Sequence, residues 1–259
     1  MLSKDPQIDT VILGCIKYIK RNNKYVDKFI VPSIATKNSL KLCGIDEKKI
    51  NVVYNGIEIN EIKKEGYNYI REKFNISEDK KIICIIGQFC KRKRQDLFID
   101  IVDCLNKKYN NKYIGIIIGK ITDKNFYEEM KPKIQYPILF INNMKREEIF
   151  KYIYPNVDAL ILLSDRDPLP TVILEAMSMK TIVIAREVDG VKEIILDKFN
   201  GFLVDYNFKL ELLVRLIEEV MNLNEEEIVR IKSNALNFVK NKFSIQKKEE
   251  TINNIIETL

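Results

Sequence analysis

Two carboxylates eight residues apart, Asp167 and Glu175, flank a Pro-Leu-Pro turn that runs into the apolar stretch Thr171-Val-Ile-Leu. A carboxylate accepts hydrogen bonds from sugar hydroxyls, and can take two from a vicinal diol such as a ribose. The apolar stretch reads as a helix from Thr171 to Met179. A helix N-terminus favours an anion, because its first N–H groups are unpaired and its dipole is positive there. Pro170 has no N–H, so the donors are the amides of Thr171 and Val172, with the Thr171 hydroxyl adding one. Asp167 precedes a proline, which keeps its backbone extended and its side chain projecting from the loop. Glu175 lies one turn into the helix, on the face of Ser178, while Val172, Ile173, Leu174 and Met177 face the core. The plain alternatives are a turn Asp bonded to its own backbone and a solvated polar stripe.

A second segment, Gly87 to Gln95, links an apolar run to a helix and carries Lys91, Arg92, Lys93 and Arg94. Such a basic cluster can neutralise a diphosphate, although a solvated charge run has the same composition. Gly87 lets a ligand approach the backbone. Gly119-Lys120 and Asn142-Asn143-Met144 end two further apolar runs; either can line the same crevice, although alone they are ordinary loop residues.

The elements that position these residues follow from periodicity. Continuous apolar runs at Lys81 to Gly87, Tyr113 to Gly119, Pro137 to Ile141, Val157 to Ser164, Thr181 to Ala185 and Gly201 to Val204 predict strands buried on both faces. Helical spacing predicts helices at Asp96 to Tyr109, Phe126 to Lys131, Arg146 to Tyr152, Val191 to Leu196, Phe208 to Leu223, Glu225 to Asn241 and after Ser244. Alternation at this spacing implies an α/β fold, a Rossmann-like parallel sheet with helices on both faces. In such sheets ligands bind at the carboxyl ends of the strands, where every loop singled out above lies. Upstream, a basic helix is expected from Ile8 to Arg21. A strand over Asp27 to Ser33 and a helix capped by Ser33 or Thr36 and ending near Gly44 follow. Ile50 to Gly56 reads as another strand, and Glu58 to Asn68 as a linker.

Composition narrows the chemistry further. The 259 residues contain no histidine, which removes Ser-His and Cys-His catalysis and the usual zinc sites unless a partner supplies one. The five cysteines have no metal-ligand spacing and apolar neighbours, as expected of reduced thiols in a cytoplasmic protein. No apolar run is long enough to span a bilayer, so membrane contact is at most peripheral. The net charge of +6 suits anionic partners without choosing among them.

In order and spacing these segments resemble the C-terminal, donor-binding half of the retaining group 1 glycosyltransferases, often called family 4, which have the GT-B fold. The strongest match is Ser164-Asp-Arg-Asp-Pro-Leu-Pro-Thr-Val-Ile-Leu-Glu-Ala-Met-Ser178. Val53-Tyr-Asn-Gly-Ile57, Gly87 to Leu97, Asp189-Gly-Val-Lys-Glu193 and Asn200-Gly-Phe-Leu-Val204 are similar to further segments of that family. The resemblance implies that residues 58–259 form a nucleotide-sugar donor domain. Residues 1–57 would be a remnant of an N-terminal domain, with the last helix, from about 244, packing back on it. It implies that Glu175 holds the donor ribose, that Asp167 contacts the sugar or phosphate and that Lys93 binds the diphosphate leaving group. Donor contacts would also fall on Gly87, Gln88, Arg92, Arg94, Met144, Leu169, Pro170, Thr171 and Val172. No cofactor or metal is required.

Two departures bear on function. Asp167 stands where the family usually has Glu, and is one methylene shorter. Gln88 stands where it usually has Arg, removing a phosphate-binding charge. The histidine and glycine-rich loop of the family's N-terminal domain are missing. The expectation is a glycosyltransferase donor-binding domain, incomplete as an enzyme alone: either a truncated gene product, or one subunit of a split enzyme whose acceptor wall comes from a separate N-terminal-domain subunit or another copy. The acceptor, whether glycan, lipid or protein, is not legible. The alternatives are a non-catalytic nucleotide-sugar-binding subunit or scaffold, and a sugar-nucleotide epimerase of the same fold.

Overall fold

The continuous apolar runs become strands with both faces buried, and the side-chain period of two divides each between two cores. In the computed structural model, which describes residues 18–59 and 68–258, six strands form one parallel sheet. They are β3 (Lys81–Ile86), β4 (Tyr113–Ile118), β5 (Ile138–Ile141), β6 (Ala159–Leu162), β7 (Ile182–Arg186) and β8 (Phe202–Val204). Ile82 and Cys84 of β3 face one core with Leu160 and Leu162 of β6. Ile83 and Ile85 face the other with Ala159 and Ile161.

Helices cover both faces. The first core takes α6 (Thr171–Ser178), α7 (Val191–Ile194) and α9 (Glu225–Lys242), through Ile173, Met177, Ile194, Ala235 and Val239. The second takes α3 (Gln95–Lys108), α4 (Lys124–Met130) and α8 (Leu210–Met221), through Phe98, Val102, Phe126, Leu213 and Ile217. The strand order is β5-β4-β3-β6-β7-β8. Connections therefore run outward in both directions from β3 and β6, and the loops leaving their carboxyl ends diverge over a crevice.

A smaller parallel pair, β1 (Phe29–Val31) and β2 (Ile50–Val52), packs with α1 (Ile34–Leu42) around Val31, Ile45 and Ile50. Ser33 caps α1 by accepting the N–H of Thr36 at 3.1 Å, as its residue type predicts. The chain then passes Ile57, whose N–H donates to Phe243 O and whose carbonyl accepts from the N–H of Ile245. This fixes the start of α10 (Ile245–Ile256).

Some expectations fall at or beyond the described residues. Residues 18–22 are helical, and the rest of the helix expected from Ile8 lies outside them. The expected linker is described only at its two ends. Two elements differ from the sequence reading. A short helix, α2 (Tyr69–Phe74), follows the linker; it is too short to show periodicity and buries only Ile70. The helix expected from Arg146 to Tyr152 is α5 (Arg146–Glu148) followed by a π-helical turn, Ile149–Ile153. Among the described residues no helix is long and apolar enough to cross a membrane.

Candidate functional site

The loops after β3 and β6 meet where the strand order diverges. The β3 loop is fixed from below. Phe89 is fully buried and packs edge-on against Tyr127 and Phe140. Gln95, also fully buried, donates to Gln88 O at 2.9 Å and accepts from the N–H of Cys90 at 3.3 Å. Gly87, with φ of +154°, turns the chain out of β3. Its carbonyl passes so close to Gly119 that a Cβ there would lie 1.7 Å from the oxygen. These anchors hold the side chain of Gln88 at the surface and leave Arg92, Lys93 and Arg94 half-buried above the sheet, with Lys91 exposed.

The β6 loop is bonded to it at four points. The N–H of Asp165 donates to Arg92 O at 2.9 Å, and Arg92 Nη1 donates to Arg166 O at 2.8 Å. Arg94 Nη1 lies 3.2 Å from Asp165 Oδ1. Lys93 Nζ lies 2.6 Å from Asp167 Oδ2. Lys93 and Asp167, singled out for chemistry from sequence, are thus in direct contact. Arg94 is turned into structure: it also holds Asp96, and Asp165 is gripped from the other side by Arg186 at 2.5 Å. Arg186 is buried and stacks on Tyr206, 4.0 Å from the ring centroid. The sequence reading missed Arg186, Asp165 and Gln95. An Arg ending a buried strand, and a Gln opening an apolar helix, were the available signals.

Asp167 is positioned by the loop after β7. Its N–H donates to Asp189 Oδ2 at 2.9 Å, and its carbonyl accepts from the N–H of Gly190 at 3.3 Å. A Cβ on Gly190 would lie 1.9 Å from Pro168 O, so only glycine permits this approach. Three residues on, Glu193 accepts the N–H groups of Ile34 and Ala35, each at 2.9 Å, at the N-terminus of α1. The small sheet is therefore tied to the same loop cluster. Asn55 reaches Leu169 O at 3.4 Å. Burial, then the charge and hydrogen bond of Glu193, push the Tyr54 hydroxyl up to about 12.

Helix α6 follows directly. Leu169 and Pro170 are buried, and among the described residues no side chain caps the helix N-terminus at exposed Thr171 and half-buried Val172. Thr171 is four residues from Asp167, hence at most about 14 Å away along the chain. Glu175 is not the solvated group of a polar stripe. Its side chain is 13% exposed, with Oε1 2.8 Å from Arg146 Nε and Oε2 accepting the Tyr154 hydroxyl at 3.0 Å. Burial, and then Glu175, raise the Tyr154 hydroxyl well above its ordinary range, keeping it a donor. Two oxygens carry about four acceptor positions, so the carboxylate retains capacity for a diol. Ser178, expected beside it, is buried and donates to Glu175 O at 2.7 Å instead. Met144, after β5, is half-buried against the first core.

Taken together, the carboxyl edge of the sheet presents a buried lysine–carboxylate pair, an uncapped helix N-terminus and an oriented carboxylate one turn into that helix. This arrangement can hold a phosphate group beside a diol.

Comparison with known proteins bears on the family and the fold. The family model described as Glycosyl transferases group 1 matches residues 67–238. An uncharacterised glycosyltransferase of Methanocaldococcus jannaschii is 27% identical over 239 residues, covering 91% of this chain and 59% of its own length. An alpha-1,4-N-acetyl-D-galactosaminyltransferase of Campylobacter jejuni is 26% identical over 146 residues, 56% of this chain and 40% of that protein. Among solved structures, HepE of Anabaena in complex with UDP-glucose superposes with a TM-score of 0.84 at 19% identity. The match covers 94% of this chain and 67% of HepE. The chain thus spans about three fifths of the first relative's length, and its fold is that of these GT-B glycosyltransferases.

Proposed function

Because the chain belongs to the group 1 glycosyltransferases, we propose that it forms the donor-binding part of a retaining enzyme, transferring a glycosyl group from a nucleoside diphosphate sugar. The observation that carries this reading is the meeting of Lys93 with Asp167 at the divergence of the strands, four residues ahead of the α6 N-terminus and eight ahead of Glu175. HepE, of the same fold, holds UDP-glucose. In this reading Glu175, oriented by Tyr154, accepts the ribose hydroxyls. The free amides of Thr171 and Val172 take phosphate oxygens, and Met144 lies near the base. Asp167 faces the sugar.

The reaction breaks the bond between the anomeric carbon and the diphosphate oxygen. The electron pair leaves with the diphosphate, and an acceptor hydroxyl bonds to the same face of the sugar as its proton passes to a phosphate oxygen of the leaving group. Negative charge grows on the leaving group, where Lys93 and the helix N-terminus stabilise it without a required metal. Residues 58–259 are assigned to this donor unit. Residues 1–57 are assigned to the N-terminal domain and the interdomain segment, where the α1 N-terminus is bonded to Glu193 and Asn55 to Leu169.

A second reading, a nucleotide-sugar-binding subunit without transfer activity, is favoured by one observation. Of the four basic residues after Cys90, Arg92 and Arg94 are bonded to loop carbonyls and carboxylates, which leaves little charge for a diphosphate.

Calorimetric titration with UDP-, GDP- and ADP-sugars tests the donor site. One of them is expected to bind, and Glu175→Gln to weaken it. A folded protein that binds none removes the proposal. Product analysis with the bound nucleotide sugar then separates transfer from binding alone.

A further inference from the structure

The other end of the sheet carries a second cluster of charge that the proposed reaction does not use. A cavity of about 220 Å³ opens at the amino ends of β3 and β6. Lys81, Arg71 and Lys232 line it together with one carboxylate, Asp158, and an apolar wall that includes Met221 and Ile228. Lys81 opens β3 and Ile86 closes it beside the Gly87 loop. At about 3.3 Å per residue the two sites are about 17 Å apart.

The charges in this cavity are unequally satisfied. Arg71 is held by Ser77 O at 2.8 Å and Lys80 O at 3.0 Å, with Glu78 3.9 Å from its Nε. Asp158 spends Oδ2 on the N–H of Ile82 at 2.7 Å, and Oδ1 lies 3.9 Å from Lys81 Nζ. Lys232 is half-buried, and among the described residues its ammonium has no hydrogen-bond acceptor. Burial pulls its pKa below the ordinary lysine value. Asp158, the next largest influence, opposes burial, and Lys180 and Lys81 add smaller pushes in the same direction as burial. An ammonium that has lost water without gaining an acceptor is destabilised where it stands, and a bound anion would restore what it lacks.

We propose that this cavity is a separate binding site for a compact phosphate-bearing anion, with Lys232 and Lys81 as its direct contacts. Lys81, Lys232 and Arg71 outnumber the carboxylates beside them, Asp158 and Glu78, which gives the site its sign, and its volume suits inorganic phosphate or a small phosphate monoester better than a nucleotide.

Calorimetric titration with inorganic phosphate at constant ionic strength tests this, in the presence of saturating UDP so that the site at the carboxyl edge is filled. If UDP does not bind, the same titration is run without it, and the variants alone identify the site. Saturable binding is expected to weaken about tenfold in Lys232→Gln, a difference of about 1.4 kcal/mol, and to tighten in Asp158→Asn. Absence of saturable binding, or affinity unchanged in both variants, overturns the proposal. If Lys232→Gln does not fold, Asp158→Asn decides alone, and an unaltered or weaker affinity there is the overturning result.

Discussion

Lys93 Nζ lies 2.6 Å from Asp167 Oδ2, with the two side chains 15% and 11% exposed, so the loops after β3 and β6 are joined through a largely buried ion pair. Removing one member leaves a buried charge without its partner, which costs about 3–5 kcal/mol. Removing both costs far less, because no charge is stranded. Lys93→Met is therefore expected to lower stability by an amount that the double variant Lys93→Met with Asp167→Asn largely recovers. Nucleotide affinity should be lost in both. Urea unfolding and calorimetry on the two proteins check this; recovery of affinity along with stability would make the pair structural only.

Gly119 limits the β3 loop from the neighbouring strand. Its φ is +156°, and an added Cβ would lie 1.7 Å from Gly87 O, a backbone atom that cannot swing aside. Gly119→Ala is expected to destabilise the protein by more than about 1 kcal/mol and to displace Gly87 and the basic turn behind it. Thermal denaturation reads the first effect. A fall in nucleotide affinity greater than the change in folded fraction reads the second.

The contrast between these two positions shows what the sequence could and could not reveal. The strands were legible because apolar runs such as Ile82 to Ile86 have no polar face, which only burial on both sides satisfies. That order of elements placed Lys93 and Asp167 at carboxyl ends, and the parallel sheet brings them together. The partners of Glu175 were not legible. Arg146 and Tyr154 come from a segment whose π-helical turn breaks the period of 3.6, so counting residues does not give their directions. Nor did the loop show which of Lys91 to Arg94 would be free. Arg94 takes a left-handed backbone, φ +58°, and its side chain closes on Asp96 and on Asp165, the latter 71 positions away and outside any local pattern.

Tyr54 gives a pH dependence with a definite sign. Its hydroxyl is raised to about 12 by burial first and by Glu193 second. The ordinary value in the unfolded chain is about 10. A group with a raised folded pKa contributes stability that is complete below its unfolded value and is lost as pH climbs to the folded one. Stability is therefore expected to fall between about pH 10 and about pH 12 more steeply in the wild type than in Tyr54→Phe. Glu193→Gln should shift Tyr54 ionisation downward, read by ultraviolet difference absorbance. Equal slopes in wild type and Tyr54→Phe would remove the contribution assigned to this hydroxyl.

Tyr154 tests whether Glu175 must be oriented to function. The hydroxyl is buried and donates to Glu175 Oε2 at 3.0 Å, while the ring packs in the first core. Tyr154→Phe keeps the ring and removes one hydrogen bond to a charged acceptor, worth about 1.5–3 kcal/mol. Part of that loss appears as stability. The rest appears as freedom of the carboxylate, which then turns toward Arg146, 2.8 Å from its other oxygen. A ribose diol meets a misdirected acceptor in this variant, whereas a phosphate at Thr171 and Val172 meets the same amides as before. UDP affinity is thus expected to fall about tenfold, equivalent to about 1.4 kcal/mol, with inorganic diphosphate affinity unchanged. If both ligands weaken equally, the hydroxyl supports the whole helix start rather than the carboxylate, and the ribose role of Glu175 loses its structural basis.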